Sequence, residues 1–419
     1  MTPRILSTLK TYSRADFGAD LLAGLSVALV ALPLSLAIAI ASGAAPATGI
    51  ITAVIGGVLI SALGGSRVQV GGPTGAFIVV VYDVIAHHGY DGLVLATLMA
   101  GAMLVVAGFA RAGSLIRYVP EPVIDGFTLG IAVVIGVSQL GDLFGLQLGK
   151  VPADLSDKLP ALWAARDTFS GASLAVGLGA IVLIAGLRRA FPRWPGLIVA
   201  LALASAAGLW AGGVETIEAR FGALSAAFPA PHLPAFDYAR IIELLPSAAV
   251  IAFLAGIEAL LSAMVADRMI GDRHKPNAEV LAQGAANLGS ALFGGLPATG
   301  AIARTATNVR AGARTPVAGI VHALAIWALV ALAAPLIGQL AMPALAGLLL
   351  LTAWNMSEPH KWRHRLALRR SDQVLLGLTM ALTVLADLTV AIGVGVALGL
   401  MLRMRRRDLP PSDWQPPKH

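Results

Sequence analysis

The sequence predicts an all-α, polytopic membrane protein of about fourteen transmembrane segments in a 7+7 inverted repeat, with short strands leading into half-helices in segments 3 and 10. Three observations carry that prediction. Of 419 residues, 57% are hydrophobic and 13% charged, and the mean hydropathy is +0.80, a balance that a water-soluble domain does not carry. Apolar runs of the ~20 residues needed to cross a ~30 Å hydrocarbon core as a helix recur from Leu21 to the arginines between 403 and 407. The helix-breaking phrase GGPTGA at 71–76 returns as GGLPATGA at 294–301.

Cutting the chain at charges and Gly/Pro clusters places the first seven segments near 21–41, 46–63, 73–88, 92–110, 122–141, 171–187 and 195–212. The second seven fall near 246–266, 278–293, 299–312, 315–338, 341–356, 372–386 and 388–402. The domain reading is therefore an N-terminal segment 1–20, a first repeat 21–212, an amphipathic connector 213–245, a second repeat 246–403 and a short tail 404–419. The two glycine phrases sit at matching places in the two halves. Because each half has an odd number of segments, the second enters the bilayer upside down, the plan of many secondary transporters. The basic cluster HKWRHRLALRR at 360–370 and the tail MRRR at 404–407 set the orientation by the positive-inside rule. Both termini are expected in the cytoplasm and the protein in the cytoplasmic (inner) membrane. The first apolar segment is too long for a signal-peptide core and reads as a retained span.

Each phrase reads as the start of a half-helix within the membrane. Arg67 to Val70 alternates like a short strand, Gly71 and Gly72 break it, and Pro73 opens a helix. In the second phrase Pro297 halts the chain and Thr299 is placed to cap a helix running through Ala301 and Arg304. A helix that begins in mid-membrane leaves its first backbone N–H groups without partners. Two such positive ends facing each other make an anion site. Arg304, whose guanidinium stays charged, either supplies field to that site or pairs with a nearby acid.

Within AVIAFLAGIEALLSAMVAD at 249–267, Glu258 is the one charge before the terminal Asp267. An ionisable group inside a span is a functional candidate by default. With Ser262 one turn on it could hold Na+, or Glu258 alone could carry H+; the other reading is a structural bridge from Glu258 to Arg304. The stripe Glu279, Gln283, Asn287 reads as a helix-packing seam. His87 and His88 end the third segment, and Asp125, Asp142 and Asp387 are boundary residues.

Several function classes are set aside. There is no cysteine, so thiol chemistry and thiolate metal sites are absent. GxSxG, HExxH and GK[ST] patterns are missing, which argues against an enzyme. The net charge of +7 follows from topology and asks for no nucleic acid. No cofactor is called for, and no metal beyond a possible Na+ at Glu258 and Ser262.

The chain also resembles the SulP family of sulfate permeases and related inorganic anion transporters. The resemblance rests on LPLSLAIAIASGAAPATGI at 32–50, GGSRVQVGGPTGA at 64–76 and, most specifically, the block 256–316 that contains GIEALLSAMVAD and GGLPATGAIARTATNVRAGARTP. It covers about residues 15–405 and implies a core domain moving against a gate domain. It implies an anion between Thr74, Gly75 and Ala76 on one side and Gly300, Ala301, Ile302, Ala303 and Arg304 on the other, closed by Leu34 and Ile38. It also implies a coupling acid at Glu258 and, in a sodium-coupled bicarbonate transporter, a hydroxyl ligand at Ser262. Many members have Gln in place of Leu34 and Ser in place of Ala301 and Ala303, so this pocket leans on backbone N–H groups. Many also continue into a cytoplasmic STAS domain where this chain is expected to have only its short tail, which leaves membrane surfaces for any homodimer.

The expected function is secondary active transport of a small inorganic oxyanion, sulfate or bicarbonate, by alternating access coupled to H+ or Na+. An anion exchanger, a passive anion channel and a nucleobase–proton symporter of the same fold are the alternatives.

Overall fold

The computed structural model describes residues 2–113, 120–149, 152, 155–191, 195–225, 227, 229–234, 237–386 and 388–405. The described residues are mostly helical. A short N-terminal helix, α1 (Ile5–Thr8), precedes α2 (Arg14–Ala41), and α3 (Pro46–Ile51) passes through one π turn into α4 (Gly57–Leu63). The strand β1 (Gly71–Gly72) then leads by a 3-10 turn into α5 (Ile78–Phe109). Next come α6 (Glu121–Ser138), α7 (Leu140–Phe144), α8 (Leu155–Ala164), α9 (Gly171–Ala190), α10 (Gly196–Ala211) and α11 (Ile217–Phe221). The second half opens with α12 (Tyr238–Ile270) and α13 (Pro276–Leu292), followed by β2 (Thr299–Gly300) and α14 (Ile302–Arg310). It closes with α15 (Val317–Gly338), α16 (Met342–Met356), α17 (Trp362–Leu366), α18 (Arg370–Leu385) and α19 (Leu388–Arg405).

Seven of the described helical stretches are long and apolar enough to cross a membrane, with shorter apolar helices at Gly196–Ala211 and Val390–Gly399. Element ends depart from the expected ones where a cap overrides hydropathy. The first long helix begins at Arg14 rather than near 21, because Ser13 and Asp16 form a capping box: Ser13 Oγ accepts from the Asp16 amide, and Asp16 accepts from the Ser13 amide. Helix α12 begins at Tyr238 rather than 246; Asp237 caps it and Pro246 is carried inside. The expected third and fourth segments both lie within α5, as two helices that meet at a kink at Gly89, where the backbone is not helical (φ 69°). Asp387 lies outside the described residues.

The helices sort into two packed groups. One holds α2 to α5 and α12 to α15, with β1 and β2 at its centre; the other holds α6, α7, α9, α10, α16, α18 and α19. The connections between the groups are themselves tied together. Thr216 and Ala341 form an antiparallel bridge, the Ile217 amide donating to Leu340 O at 3.0 Å and the Met342 amide to Glu215 O at 2.9 Å. Arg220 joins this knot to the end of α7 through Asp142 at 2.7 Å and to Glu215 at 2.5 Å.

Inside the first group, the polar stripe on α13 is a buried seam. Glu279 accepts from the amides of Gly65 and Ser66 at 2.9 and 3.2 Å and from Gln283 at 2.8 Å. Asn287 donates to Ala298 O at 2.8 Å and accepts from the Ala298 amide at 3.0 Å. The seam thus holds the backbone leading into each glycine phrase, satisfying groups that would otherwise be orphaned in a dry interior.

Candidate anion site between two half-helices

The two phrases meet. β1 and β2 pair antiparallel with Gly71 opposite Gly300 and Gly72 opposite Thr299, and the Ala301 amide donates to Val70 O at 2.9 Å. The pairing falls on the glycines rather than on the alternating stretch 67–70, because only side-chain-free backbone can approach this closely. A Cβ on Gly300 would lie 1.6 Å from Gln69 Nε2, and one on Gly72 (φ 151°) 2.3 Å from Arg304 Nη1. Thr299 is correspondingly not a helix cap. It is drawn into the strand pair, its hydroxyl donates to Ala255 O at 2.8 Å, and α14 starts at Ile302 with Ala301 as N-cap and no side-chain cap.

From this crossing each chain turns into a helix. Thr74 precedes the 3-10 turn Gly75–Phe77 and makes no side-chain cap to it. Both first turns therefore present backbone N–H groups that have no partner within their own helix, and their dipoles converge on the crossing. Gly75, Ala76 and Ala301 are buried, and Ile302 and Ala303 are exposed at the start of α14. Gly75 packs toward the second helical group, where an added Cβ would sit 3.1 Å from Met356 Sδ and 3.5 Å from Ile135 Cδ1. Leu34 is half-buried and Ile38 buried on α2, both packed in the main core.

Arg304 is the largest fully buried side chain among the described residues, 2% exposed. Its Nη2 donates to Ser35 Oγ at 3.1 Å and to Pro73 O at 3.0 Å, while Nε and Nη1 have no hydrogen-bond partner. It is not bridged to Glu258. That carboxylate instead accepts from Thr74 Oγ1 at 2.6 Å, so the alternative of a structural Glu258–Arg304 pair is not what forms. Ser262 sits apart from Glu258 in its bonding: its hydroxyl is 2.9 Å from Thr305 Oγ1, which also accepts from the Val70 amide at 3.1 Å.

Three participants were not read from the sequence. Ser35 is one: buried in an apolar run, it reaches Arg304 while also donating to Ala31 O at 2.7 Å. Gln69 packs on Gly300 and donates to Ala259 O at 3.2 Å. His322 on α15 is fully buried. The polar residue inside a hydrophobic segment was the available signal for each. The boundary aspartates act as ion-pair anchors within the second group, Asp125 with Arg365 at 2.8 Å and Asp142 with Arg220. His87 and His88 lie near Asp83 and Glu243, 3.1 and 3.6 Å away.

The crossing makes a prediction about packing. Gly300→Ala is expected to lower uptake, because the buried Gln69 side chain must move out of the space its methyl group takes, with the Ala259 backbone only 3.2 Å away. Adding Gln69→Ala is expected to restore part of it, whereas Gln69→Ala alone costs little. Uptake by the single and double variants measures the coupling.

The fold and the crossing define a polytopic membrane protein built around two opposed half-helix starts and a buried, unpaired arginine. The chain belongs to the sulfate permease family, whose model matches residues 17–379. It is 38% identical over 405 residues, 96% of this chain and 76% of the relative, to the putative sulfate transporter YvdB of Bacillus subtilis. It is 31% identical over 400 residues, 92% of this chain and 70% of the relative, to the bicarbonate transporter BicA of a Picosynechococcus species. Among solved structures, the transmembrane domain of a cyanobacterial BicA superposes with a TM-score of 0.79 at 27% identity, covering 94% of this chain and 98% of that one. The murine Solute Carrier 26 family member A9 anion transporter, in its inward-facing state, shares the fold with a TM-score of 0.87 at 17% identity, covering 97% and 72%. These relatives are transporters and not enzymes.

Proposed function

We propose that this protein moves a small inorganic oxyanion across the cytoplasmic membrane by alternating access. The observation that carries the reading is the convergence at one crossing of two helix N-termini and a buried arginine that no carboxylate among the described residues neutralises. An oxyanion bound there accepts from the first-turn amides of Gly75, Ala76, Ile302 and Ala303, with Arg304 contributing field and a free donor edge. Leu34 and Ile38 form the apolar wall, and Thr74 and Gly300 set the floor. Sulfate and bicarbonate are the substrates that the relatives' names supply, and both have the oxygen-rich shape such a site accepts.

The two helical groups act as core and gate. In this reading the core carries the crossing and the gate offers Ile135 and Met356 to it, so that shifting one group against the other re-exposes the occupied site. The two halves 21–212 and 246–403 are inverted repeats joined by the connector 213–245, with both termini cytoplasmic. Any homodimer forms through membrane surfaces.

Coupling runs through Glu258. Thr74 Oγ1 donates to its carboxylate, and Thr74 lies immediately before the amides of the first half-helix. Protonating Glu258 turns that charge-assisted bond into a weaker one between neutral groups, and so links a proton to the residue that precedes the anion site. Because Ser262 is engaged with Thr305, a proton on Glu258 is favoured over a Na+ held jointly by Glu258 and Ser262.

Uptake of labelled bicarbonate and, separately, sulfate into proteoliposomes under an inward H+ gradient, an inward Na+ gradient or neither tests this. Accumulation above equilibrium under the proton gradient is expected. Simple equilibration under every gradient sinks the coupled reading and leaves an exchanger or channel.

A further inference from the structure

A polar cavity lies away from the half-helix crossing, on the face that carries the N-terminus. It has a volume of about 290 Å³ and is lined by Arg4, Ser7, Thr8 and Thr11 from the N-terminal segment, Asp16 from α2, and Arg67 and Thr315 from the core. Residues 4, 7, 8 and 11 recur at helical spacing, so one face of the N-terminal helix and the turn after it is polar and looks into the cavity. The opposite face is apolar and uncovered, with Leu6 57% and Leu9 47% exposed. A short amphipathic segment of this kind lies in the plane of a membrane surface with its apolar side in the lipid. In that placement the cavity is at the depth of the phospholipid headgroups, roofed by a polar helix face.

Its charges are incompletely matched at one side chain. Arg4 and Arg67 share a single carboxylate: Arg4 pairs closely with Asp272, and Arg67 Nε stands 3.8 Å from the same oxygen. Arg67 Nε is buried and has no hydrogen-bond partner among the described residues, while the side chain as a whole is 41% exposed toward the cavity it lines. The other acids are engaged elsewhere. Asp16 pairs with Arg314 at 3.1 Å and closes the Ser13 cap. Asp20 is fully buried and accepts from the amides of Arg314 and Thr315 at 2.7 and 3.0 Å, and from Thr315 Oγ1 at 2.5 Å. The Ser7 and Thr8 hydroxyls donate to Arg4 O in this structure, at 2.7 and 3.3 Å, and can rotate.

We propose that this cavity binds a phosphate-type oxyanion, either a phospholipid headgroup or free inorganic phosphate, through the planar donor edge of Arg67 with Arg4 beside it. A guanidinium is suited to a phosphate because two of its N–H groups match two phosphate oxygens. The occupant fastens the amphipathic segment to residues 64–67, the stretch that runs into β1. The proposal is independent of what the half-helix crossing carries.

The test uses the full chain and two probes. In the first arm, the delipidated protein in detergent is titrated with inorganic phosphate by calorimetry. In the second, protein reconstituted in phosphatidylcholine vesicles with or without phosphatidylglycerol is re-extracted, and retained phospholipid per chain is counted by native mass spectrometry. Arg67→Gln and Ser7→Asp, the latter putting a carboxylate on an exposed position of the roof, are each expected to weaken binding at least tenfold. Arg67→Lys, which keeps the charge and loses the planar fork, is expected to fall between. Arg304→Gln is expected to leave this binding intact. An effect in the phosphate arm alone assigns a soluble occupant and an effect in the lipid arm alone assigns a headgroup; both support the site. Binding in both arms that is the same for wild type, Arg67→Gln and Ser7→Asp overturns it, as does binding that disappears only with Arg304→Gln.

Discussion

Arg304→Gln is expected to remove anion uptake while leaving a folded, monodisperse protein. The guanidinium is buried and anchored at one edge by Ser35 and Pro73, with Nε and Nη1 uncommitted. Losing a buried, charge-assisted partner of an anion costs about 3 kcal/mol, or on the order of a hundredfold in affinity. Fold stability depends less on it, since the side chain makes no ion pair whose partner would be stranded. Arg304→Lys keeps a charge but cannot hold Ser35 and Pro73 while presenting a second edge, so weak residual uptake is expected. Binding of bicarbonate or sulfate to the detergent-solubilised variants, measured beside their elution profiles, separates the two effects. Unchanged binding in Arg304→Gln would falsify the site.

Glu258→Gln is expected to uncouple the protein without emptying the site. The amide is isosteric and can still accept from Thr74 Oγ1 through its carbonyl oxygen, so the start of the first half-helix keeps its geometry. What disappears is the titration. Anion binding is expected to stay within about threefold of wild type, a change worth less than one kcal/mol, while concentrative uptake under an imposed proton gradient falls to equilibration. Thr74→Val is the companion variant: it leaves Glu258 titratable but cuts its link to the half-helix, and is expected to show the same loss of gradient response. If Glu258→Gln still concentrates the anion under a proton gradient, Glu258 is structural.

Most of the helices were legible because hydropathy over some twenty residues reads lipid and core burial directly, and the recurrence of the glycine phrase pointed to the crossing. The details that failed have a common cause. Thr299 has the chemistry of a cap, yet a strand pair formed across the long separation between the phrases claims its backbone first. The alternation at 67–70 looked like a strand, but the closest approach belongs to Gly71 and Gly72, where side chains are absent. Ser35, Gln69 and His322 stand on segments whose local pattern says only that they are buried. What each one touches is decided by a helix far away in sequence. The seam of Glu279, Gln283 and Asn287 was visible as a stripe because its spacing is local, while its partners at 65, 66 and 298 were not.

The separation of Glu258 from Arg304 has an electrical consequence. In the proposed cycle the two charges, not cancelled in a pair, each respond to their own ligand, and the core changes valence as it loads. With Glu258 ionised, the empty core is neutral at this level. A monoanion alone makes it negative, and a monoanion with one proton returns it to neutral. A divalent anion with one proton leaves one negative charge. Moving one charge through a potential of 100 mV is worth about 2.3 kcal/mol. The resting voltage, negative inside, therefore opposes inward movement of the divalent cargo and is indifferent to the protonated monovalent one. In the proposed cycle, current recorded across the membrane during uptake distinguishes the two cargoes.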